Sequence, residues 1–273
     1  MGAMILRICH LYPDLLNLYG DRGNLMALAA RVRWRQIGVE IEEYGVGDRL
    51  PAGAHDLYFL GGGEDRQQRL AADDLRAAKG DALVDAAARG AVVLAVCGGY
   101  QLLGRYYRPA DGADLVGLGL LDLTTEHPGP AARRLIGNIV IRAPLLGGAT
   151  LVGFENHGGR TRLGSGVRPL GQVVAGYGNN GEDRTEGAVS GSVFGTYLHG
   201  PLLPKNPHLA DHLVATALRA RYPEVVLSPL PDAAESIAHD AAVARAMPRS
   251  QVALVRAARA MKRLATWDGA MRR

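Results

Sequence analysis

The sequence predicts an α/β fold with a mainly parallel β-sheet, flanking helices and a helical C-terminal extension. In the first hundred residues, short apolar runs typical of buried strands alternate with helical segments bounded by capping residues and glycine. Such alternation is typical of parallel sheets with crossover helices. After Pro204 the pattern becomes helical. With 273 residues, 48% hydrophobic and 21% charged, the chain is long enough for one large domain and an appendage.

The N-terminal part contains four predicted strands and two predicted helices. The strands are apolar or alternating runs at residues 5–9, 39–42, 56–60 and 91–96. The helices cover residues 25–36 and 81–89. Asp21 and Asn24 are candidate caps for the first helix, and Gly38 ends it.

Shorter strands follow, and we expect them to extend the sheet and to cover the functional site. They are residues 117–123, 137–142, 151–155, 171–175, 188–189 and 193–197. Helices are predicted at residues 207–221 and, broken near Pro248, at 232–264. The expected organisation is a main domain over residues 4–204 and a helical part over 205–273 that completes and extends it.

Composition and charge exclude several classes of protein. The net charge of +4 comes from interspersed signs and only 5% of residues are aromatic, so nothing indicates nucleic-acid binding. Two cysteines without disulfide or zinc-ligand spacing indicate a reducing compartment and no metal site. No secretion signal or apolar run of membrane-spanning length is present, so a cytoplasmic protein is expected.

Cys97 is the candidate nucleophile. It ends the apolar run 91–96 and is followed at once by Gly98 and Gly99, a pattern that predicts a strand, a sharp turn and a helix. The positive end of that helix favours a thiolate, and the small neighbours suit a nucleophile elbow. Cys9 lies in a strand without such a turn and is expected to be an inert buried thiol.

His199 is the candidate base. It follows the strand at residues 193–197 and precedes Gly200 and Pro201. Because the carboxyl ends of parallel strands share one edge of a sheet, His199 and Cys97 can meet there. Six histidines are expected to be solvated or hydrogen-bonded to nearby residues: His10, His55, His127, His208, His212 and His239. His157 is the other histidine of interest.

The segments 95–101 and 197–200 resemble class I (triad-type) glutamine amidotransferases. Further segments resemble the cobyric-acid-synthase-like branch and, within it, the glutaminase subunits of lipid II isoglutaminyl synthases; they are residues 11–24, 134–138, 154–159 and 198–207. The resemblance covers about residues 4–220. It implies the flavodoxin-like three-layer fold of this class and the hydrolysis of glutamine through a cysteinyl thioester.

Hydrolysis of an amide needs a nucleophile, oxyanion donors and an acid for the departing ammonia. Cys97 would attack, and His199 would take the thiol proton and return it to ammonia. The N–H of Gly98, with that of Gly62 or Gly63, would form the oxyanion hole.

Three residues are predicted to bind the substrate. Gln101 lies one helical turn beyond the nucleophile, and the family has a glutamine there. The resemblance favours Arg134 as the anchor of the glutamine α-carboxylate, which an arginine can bind through two hydrogen bonds. His157 would line the same pocket. From the residues alone, Gln101 and Arg134 could equally be solvated and His157 could be structural.

A separate synthetase is implied. Activating an acceptor carboxyl group needs ATP, but the glycines at 61–63 and 117–119 match neither nucleotide-binding pattern. The resemblance implies a heterodimer with a Mur-ligase-like subunit that binds ATP and magnesium and amidates the D-glutamate of lipid II at the inner face of the membrane. No cofactor is expected in this chain. The alternatives are a stand-alone cysteine hydrolase such as a γ-glutamyl hydrolase, a cobyrinate-like acceptor, or a regulatory protein without activity.

The third catalytic residue is missing from its usual place. Most class I enzymes have a glutamate two residues after the base histidine, but this sequence has Pro201. Glu155, Asp14 and Asp21 could orient His199 from within the chain. We expect instead a carboxylate from the partner subunit, which would make the isolated chain a slow glutaminase.

Overall fold

The structure is a computed structural model that describes residues 4–247. The strands are β1 Ile5–Leu11, β2 Gly38–Tyr44, β3 Leu57–Leu60, β4 Val92–Val96, β5 Tyr106–Arg108, β6 Leu115–Val116, β7 Leu123–Glu126, β8 Leu135–Ala143, β9 Ala149–His157, β10 Arg160–Leu163, β11 Gly171–Ala175, β12 Thr185–Glu186, β13 Ala188–Ser190 and β14 Val193–Thr196. The helices are α1 Arg22–Arg33, α2 Asp65–Asp74, α3 Gly80–Ala88, α4 Gly98–Leu102, α5 Pro207–Arg219 and α6 Ala233–Ala246. A π-helical turn, Leu75–Lys79, joins α2 to α3.

The main sheet has six strands in the order β13-β14-β4-β3-β1-β2. All neighbours are parallel except β13, which runs antiparallel to β14. The predicted α/β fold with a mainly parallel sheet is therefore confirmed. Since β4 lies between β3 and β14, the loops that follow these three strands emerge side by side at one edge of the sheet.

The core lies on both faces of this sheet. Every residue of β3, β4 and β14 is buried, as expected for apolar strands covered by helices on both sides. Helices α1 and α5 contact each other, and α5 also contacts β1 and β4. The predicted helix at 207–221 is thus present as α5 and belongs to the layers around the sheet.

The strands between residues 106 and 186 do not extend the main sheet, contrary to the prediction for the strands after residue 115. They form two separate four-stranded sheets, β10-β7-β5-β6 and β12-β11-β8-β9. The long hairpin of β8 and β9 pairs over nine residue positions, so its backbone hydrogen bonds are satisfied within the hairpin and with β11. An isolated bridge between Phe154 and His199 ties this second sheet to the loop after β14.

The C-terminal helix α6 packs on the second small sheet. Val243 and Met247 form a small buried cluster with Val140 and Val152. The remainder of the predicted helical region, residues 248–264, lies outside the described residues. No helix within residues 4–247 is both long and apolar enough to cross a membrane.

Candidate active site

Cys97 lies at a sharp turn between β4 and α4. Its backbone has φ +50° and ψ −103°, a conformation that costs energy for any residue with a side chain and is typical of a nucleophile elbow. The Cys97 N–H donates to Thr196 O at 2.8 Å, and the Gln101 N–H donates to Cys97 O at 3.0 Å. These bonds fix the turn, and the thiol is 7% exposed.

Glycines are required at the two positions that follow Cys97. A Cβ atom at Gly98 would lie 2.5 Å from Gln68 Nε2, and one at Gly99 would lie 2.7 Å from the Cβ of Leu60. These contacts explain the two glycines that follow Cys97 in the sequence. Close packing against β3 and α2 leaves no room for any side chain there.

His199 and Cys97 meet at Gly62, as the sheet topology predicted. A Cβ atom at Gly62 would lie 3.3 Å from the Cβ of Cys97 and 3.0 Å from Cε1 of His199. His199 is fully buried, and its backbone exchanges two hydrogen bonds with Phe154, at 2.8 and 3.2 Å. The ends of β3, β4 and β14 therefore converge on one point.

A third polar group at this point is the fully buried carboxylate of Asp21. Its Oδ1 lies 3.8 Å from Nδ1 of His199, and its Oδ2 accepts a hydrogen bond from the Gly62 N–H at 2.6 Å. Asp21 is thus a candidate for the carboxylate that orients His199. It is the alternative within this chain to the carboxylate expected from a partner subunit, which stays a prediction.

The other two candidate carboxylates lie elsewhere. Glu155 is buried, but it accepts hydrogen bonds from the N–H groups of Tyr177 and Gly178 at 2.7 and 2.8 Å. Asp14 is exposed. Asp21 is therefore the only one of the three that the structure places beside His199.

The charge state of His199 follows from its surroundings. Burial lowers the pKa of His199, but the attraction of its charged form to Cys97 and to the Asp21 carboxylate outweighs burial and raises the pKa to about 10. The imidazole is therefore protonated at neutral pH, and it lies beside the sulfur of Cys97. A protonated imidazole beside a cysteine favours nucleophilic attack by its sulfur and keeps a proton ready for a leaving group.

Three interlocking loops hold Asp21 in place. A Cβ atom at Gly61 would lie 2.1 Å from the backbone O of Leu16, and one at Gly23 would lie 2.6 Å from Cγ of Pro201. The Leu18 N–H also donates to Gly62 O at 3.0 Å. The loop before α1 is thus packed against the loops that follow β3 and His199.

From the sequence, Asp21 has two candidate roles, a helix cap and a carboxylate that orients His199. Its side chain makes no capping hydrogen bond with α1, and that of Asn24 accepts a hydrogen bond from the Leu203 N–H at 2.9 Å. An aspartate before a helix usually predicts a cap. Only the tertiary packing of the loop turns Asp21 towards His199.

The oxyanion donors differ in part from the prediction. The Gly62 N–H already donates to Asp21, so it holds the carboxylate and is not free for a ligand. Within residues 4–247, the N–H groups of Gly63 and Gly98 donate to no protein acceptor. Gly63, the alternative from the sequence, is therefore the better partner for Gly98.

A cleft of about 550 Å³ opens beside Cys97. It is lined by Leu18, Gly63, Glu64, Asp65, Arg66, Cys97, Arg134 and Asn156. Arg134 Nε donates to Asn156 Oδ1 at 2.9 Å, and its Nη2 donates to Asn156 O at 3.1 Å. Arg134 thus shares a cleft with the nucleophile, in an orientation fixed by Asn156.

Gln101 lies beneath this cleft rather than in it, contrary to the prediction that it binds substrate. Its side chain is buried, its Oε1 accepts from Gln68 Nε2 at 2.6 Å, and its Nε2 donates to Tyr197 OH at 3.1 Å. Both ends of the amide are occupied by protein groups. Gln101 therefore links α2 and α4 to the strand that leads to His199.

His157 is also internal. Its ring stacks on Tyr197, with centroids 3.6 Å apart, and its Nδ1 lies 2.9 Å from Gly159 O. Burial lowers the pKa of His157 to about 3, so the ring is neutral. The structural interpretation of His157 is the better one, because the ring supports Tyr197 and does not line the cleft.

Cys9 is buried and not disulfide-bonded, and burial raises the pKa of its thiol far above the usual range. Its environment is that of an inert thiol, in contrast to that of Cys97. Among the described residues, no group of three or more histidine, cysteine or acidic side chains is arranged to hold a metal ion.

Residues 7–207 match the family model of the CobB/CobQ-like glutamine amidotransferase domain. The chain belongs to this family. This confirms the predicted membership of the class I glutamine amidotransferases and the predicted enzyme class. The cluster of Cys97, His199 and Asp21 lies within the matched region.

Curated relatives of this amidotransferase include two proteins named lipid II isoglutaminyl synthase (glutamine-hydrolyzing) subunit GatD. The Staphylococcus aureus protein is 46% identical over 78% of this chain and 84% of its own length. The Streptococcus pneumoniae protein is 42% identical over 82% of this chain and 85% of its own length. A cobyric acid synthase from Pelotomaculum thermopropionicum is 36% identical, but the match covers only 41% of that protein.

Solved structures show the same fold at low identity. The PurLQS structure from Thermotoga maritima aligns with a TM-score of 0.53 at 20% identity and covers 81% of the amidotransferase chain and 100% of its own. A crystal structure of a glutamine amidotransferase aligns with a TM-score of 0.53 at 14% identity, covering 77% and 98% of the two chains. These neighbours support the class I fold.

Proposed function

We propose that this amidotransferase is the glutaminase subunit of a lipid II isoglutaminyl synthase. It would hydrolyse L-glutamine and deliver the ammonia to a separate Mur-ligase-like subunit, which would amidate the α-carboxyl group of D-glutamate in lipid II. The observation that carries the proposal is the cluster of Cys97, His199 and Asp21 at the end of a cleft that also contains Arg134. The names of the two 42–46% identical relatives support the choice of acceptor.

The first half-reaction forms a thioester. Arg134 binds the α-carboxylate of glutamine and directs the side-chain carboxamide towards Cys97. The Cys97 thiolate attacks the amide carbon, and the N–H groups of Gly98 and Gly63 stabilise the oxyanion. Protonated His199 then donates its proton to the leaving nitrogen, the C–N bond breaks, and ammonia departs from a glutamyl thioester.

The second half-reaction regenerates the thiolate. Neutral His199 takes a proton from water, and the hydroxide formed attacks the thioester carbon. Cys97 leaves as a thiolate and glutamate is released, which restores the ion pair with protonated His199. Asp21 acts throughout by orienting the imidazole and stabilising its charge.

ATP and magnesium belong to the partner in this proposal. Phosphorylation of the acceptor carboxyl group requires a phosphate-binding loop, and the sequence lacks such a motif. The ammonia released at Cys97 would react with the activated carboxyl group on the synthetase. No cofactor is needed for glutamine hydrolysis itself.

A rescue experiment with the two-subunit complex tests this function. With lipid II and ATP, the wild-type complex should amidate lipid II from either glutamine or ammonium chloride. The Cys97→Ala complex should use ammonium chloride only, because its synthetase is intact. Amidation from glutamine by the Cys97→Ala complex, or glutamine hydrolysis by the wild type without amidation of lipid II, would contradict the proposal.

The likeness to cobyric acid synthase favours one alternative acceptor, a corrin carboxyl group. Offering cobyrinate in place of lipid II, with a synthetase of either type, distinguishes the two. Amidation of lipid II alone supports the proposal, whereas amidation of cobyrinate alone supports the alternative.

A further inference from the structure

The cleft beside Cys97 has charged side chains of both signs. Arg134 and Arg66 are cationic, and Glu64 and Asp65 are anionic. Glutamine hydrolysis requires a nucleophile and an anchor for the α-carboxylate, neither of which accounts for the acids. Glutamine, however, carries an ammonium group on the same carbon as its carboxylate.

The two acids differ in their protein contacts. Asp65 Oδ1 accepts a hydrogen bond from Tyr107 OH at 3.1 Å, and Asp65 is the first residue of α2. The Glu64 side chain makes no capping hydrogen bond with α2 and no hydrogen bond or ion pair with any residue in 4–247. Glu64 thus presents an unpaired carboxylate to the cleft, directly after Gly63.

The two arginines differ in the same way. Arg134 is oriented by two hydrogen bonds to Asn156, which prepares it to bind a carboxylate at little further entropic cost. Arg66 is exposed and forms no ion pair within the described part of the chain. The cleft therefore combines one fixed cation and one unpaired anion with the nucleophile.

We propose that Glu64 binds the α-ammonium group of glutamine while Arg134 binds its α-carboxylate. This inference rests on the proposed glutaminase function. The pair recognises the zwitterionic end of the substrate, and the uncharged arm then extends to Cys97. Glu64 is accordingly a specificity-determining residue, and it lies next to the proposed oxyanion donor Gly63.

Three amides distinguish the proposed contact of Glu64 with the ammonium group from that of Arg134 with the carboxylate. L-Glutamine has both charged groups, glutaramate lacks the ammonium group, and 4-aminobutanamide lacks the carboxylate. Ammonia release from each is measured with the two-subunit complex. For Glu64→Gln, the ratio of kcat/KM for glutamine over glutaramate should fall by about tenfold or more, the scale of a hydrogen bond to a charged group.

The ratio for glutamine over 4-aminobutanamide should stay within about twofold in Glu64→Gln, because both amides carry the ammonium group. For Arg134→Lys, the ratio for glutamine over 4-aminobutanamide should fall, and the ratio for glutamine over glutaramate should stay within about twofold. Asp65→Asn is the matched control, since it removes the same charge from the same cleft and should leave both ratios within about twofold. Glu64→Asp, which keeps the charge, should retain more of the wild-type preference than Glu64→Gln.

The outcomes distinguish this inference from the proposed function. If the wild-type complex releases no ammonia from glutamine, the proposed function fails and the inference fails with it. If glutamine is hydrolysed but Glu64→Gln keeps the wild-type ratio over glutaramate, or Asp65→Asn lowers it equally, only the inference is overturned. Where turnover is too slow, binding of the three amides to the Cys97→Ala protein gives the same comparison.

Discussion

At the scale of single residues, Asp21 is the candidate for orienting and charging His199. Its carboxylate helps to raise the pKa of His199 to about 10 against the effect of burial. A raised pKa keeps the imidazole protonated until the pH rises through that value. The acid that protonates the leaving ammonia is therefore lost only at strongly alkaline pH.

Asp21→Asn should lower kcat for glutamine by about 100-fold, within the range for a general acid and base that is poorly oriented. The alkaline limb of the kcat profile should also move to lower pH, because removing the negative charge lowers the pKa of His199. Ammonia release as a function of pH measures both effects. Asp14→Asn, at an exposed site, is the control, and an unmoved limb in Asp21→Asn would reject the role of Asp21.

Arg134→Lys should raise KM for glutamine by about tenfold, because lysine cannot bind a carboxylate through the planar pair of N–H groups that arginine offers. Steady-state kinetics at several glutamine concentrations test this. Arg133→Lys changes the neighbouring arginine, whose side chain does not line the cleft, and should leave KM unchanged. An unchanged KM in Arg134→Lys would refute the proposal that Arg134 binds the α-carboxylate of glutamine.

At the scale of elements, a buried ion pair fixes the segment between α2 and α3. Lys79, fully buried at the end of the π-helical turn, pairs with Asp74, which also accepts a hydrogen bond from Tyr12 OH at 2.7 Å. Tyr12 begins the loop that carries Asp21 and has a φ of +55°. The pair thus joins the helical layer to the loop of the active site.

Lys79→Met should lower the free energy of unfolding by about 3 kcal/mol, because Asp74 is left buried without its counter-charge. Urea denaturation followed by circular dichroism measures the change. Arg76→Met removes an exposed charge from the same turn and should change the stability by less than about 0.5 kcal/mol. Equal effects of the two substitutions would show that the buried pair is not needed.

The sequence predicted some elements well and others poorly, for physical reasons. The core strands β3 and β4 were predictable because continuous apolar runs bounded by glycine leave few alternatives. Helix α2 was missed because Asp65–Asp74 is mostly polar, so that no apolar run marks it in the sequence. The two small sheets were mistaken for an extension of the main one, since periodicity does not specify which short strands pair.

The candidate site shows the same division. Cys97 and His199 could be identified because each follows a strand whose end lies at a known edge of the sheet. Asp21, Gln101 and His157 could not be placed correctly, because their roles depend on side-chain direction within packed loops. Resemblance to a family identified important positions but did not separate those in the cleft from those beneath it.

At the scale of the whole molecule, the described chain contains a candidate for every group that the proposed hydrolysis of glutamine needs. The nucleophile, the acid and base, the orienting carboxylate and the oxyanion donors come from loops of one sheet and the segment before α1. Under the proposed function, the synthetase would then be required for the acceptor chemistry rather than for completing the triad. This differs from the expectation that assembly switches on glutamine hydrolysis through a borrowed carboxylate.

The most direct test is steady-state ammonia release from L-glutamine by the purified chain without the synthetase. We expect the wild type and Cys9→Ala to hydrolyse glutamine with kcat values within about tenfold of that of the complex, and Cys97→Ala to lose at least about 1000-fold. Hydrolysis that appears only in the complex, or that survives in Cys97→Ala, would contradict a triad contained within this chain.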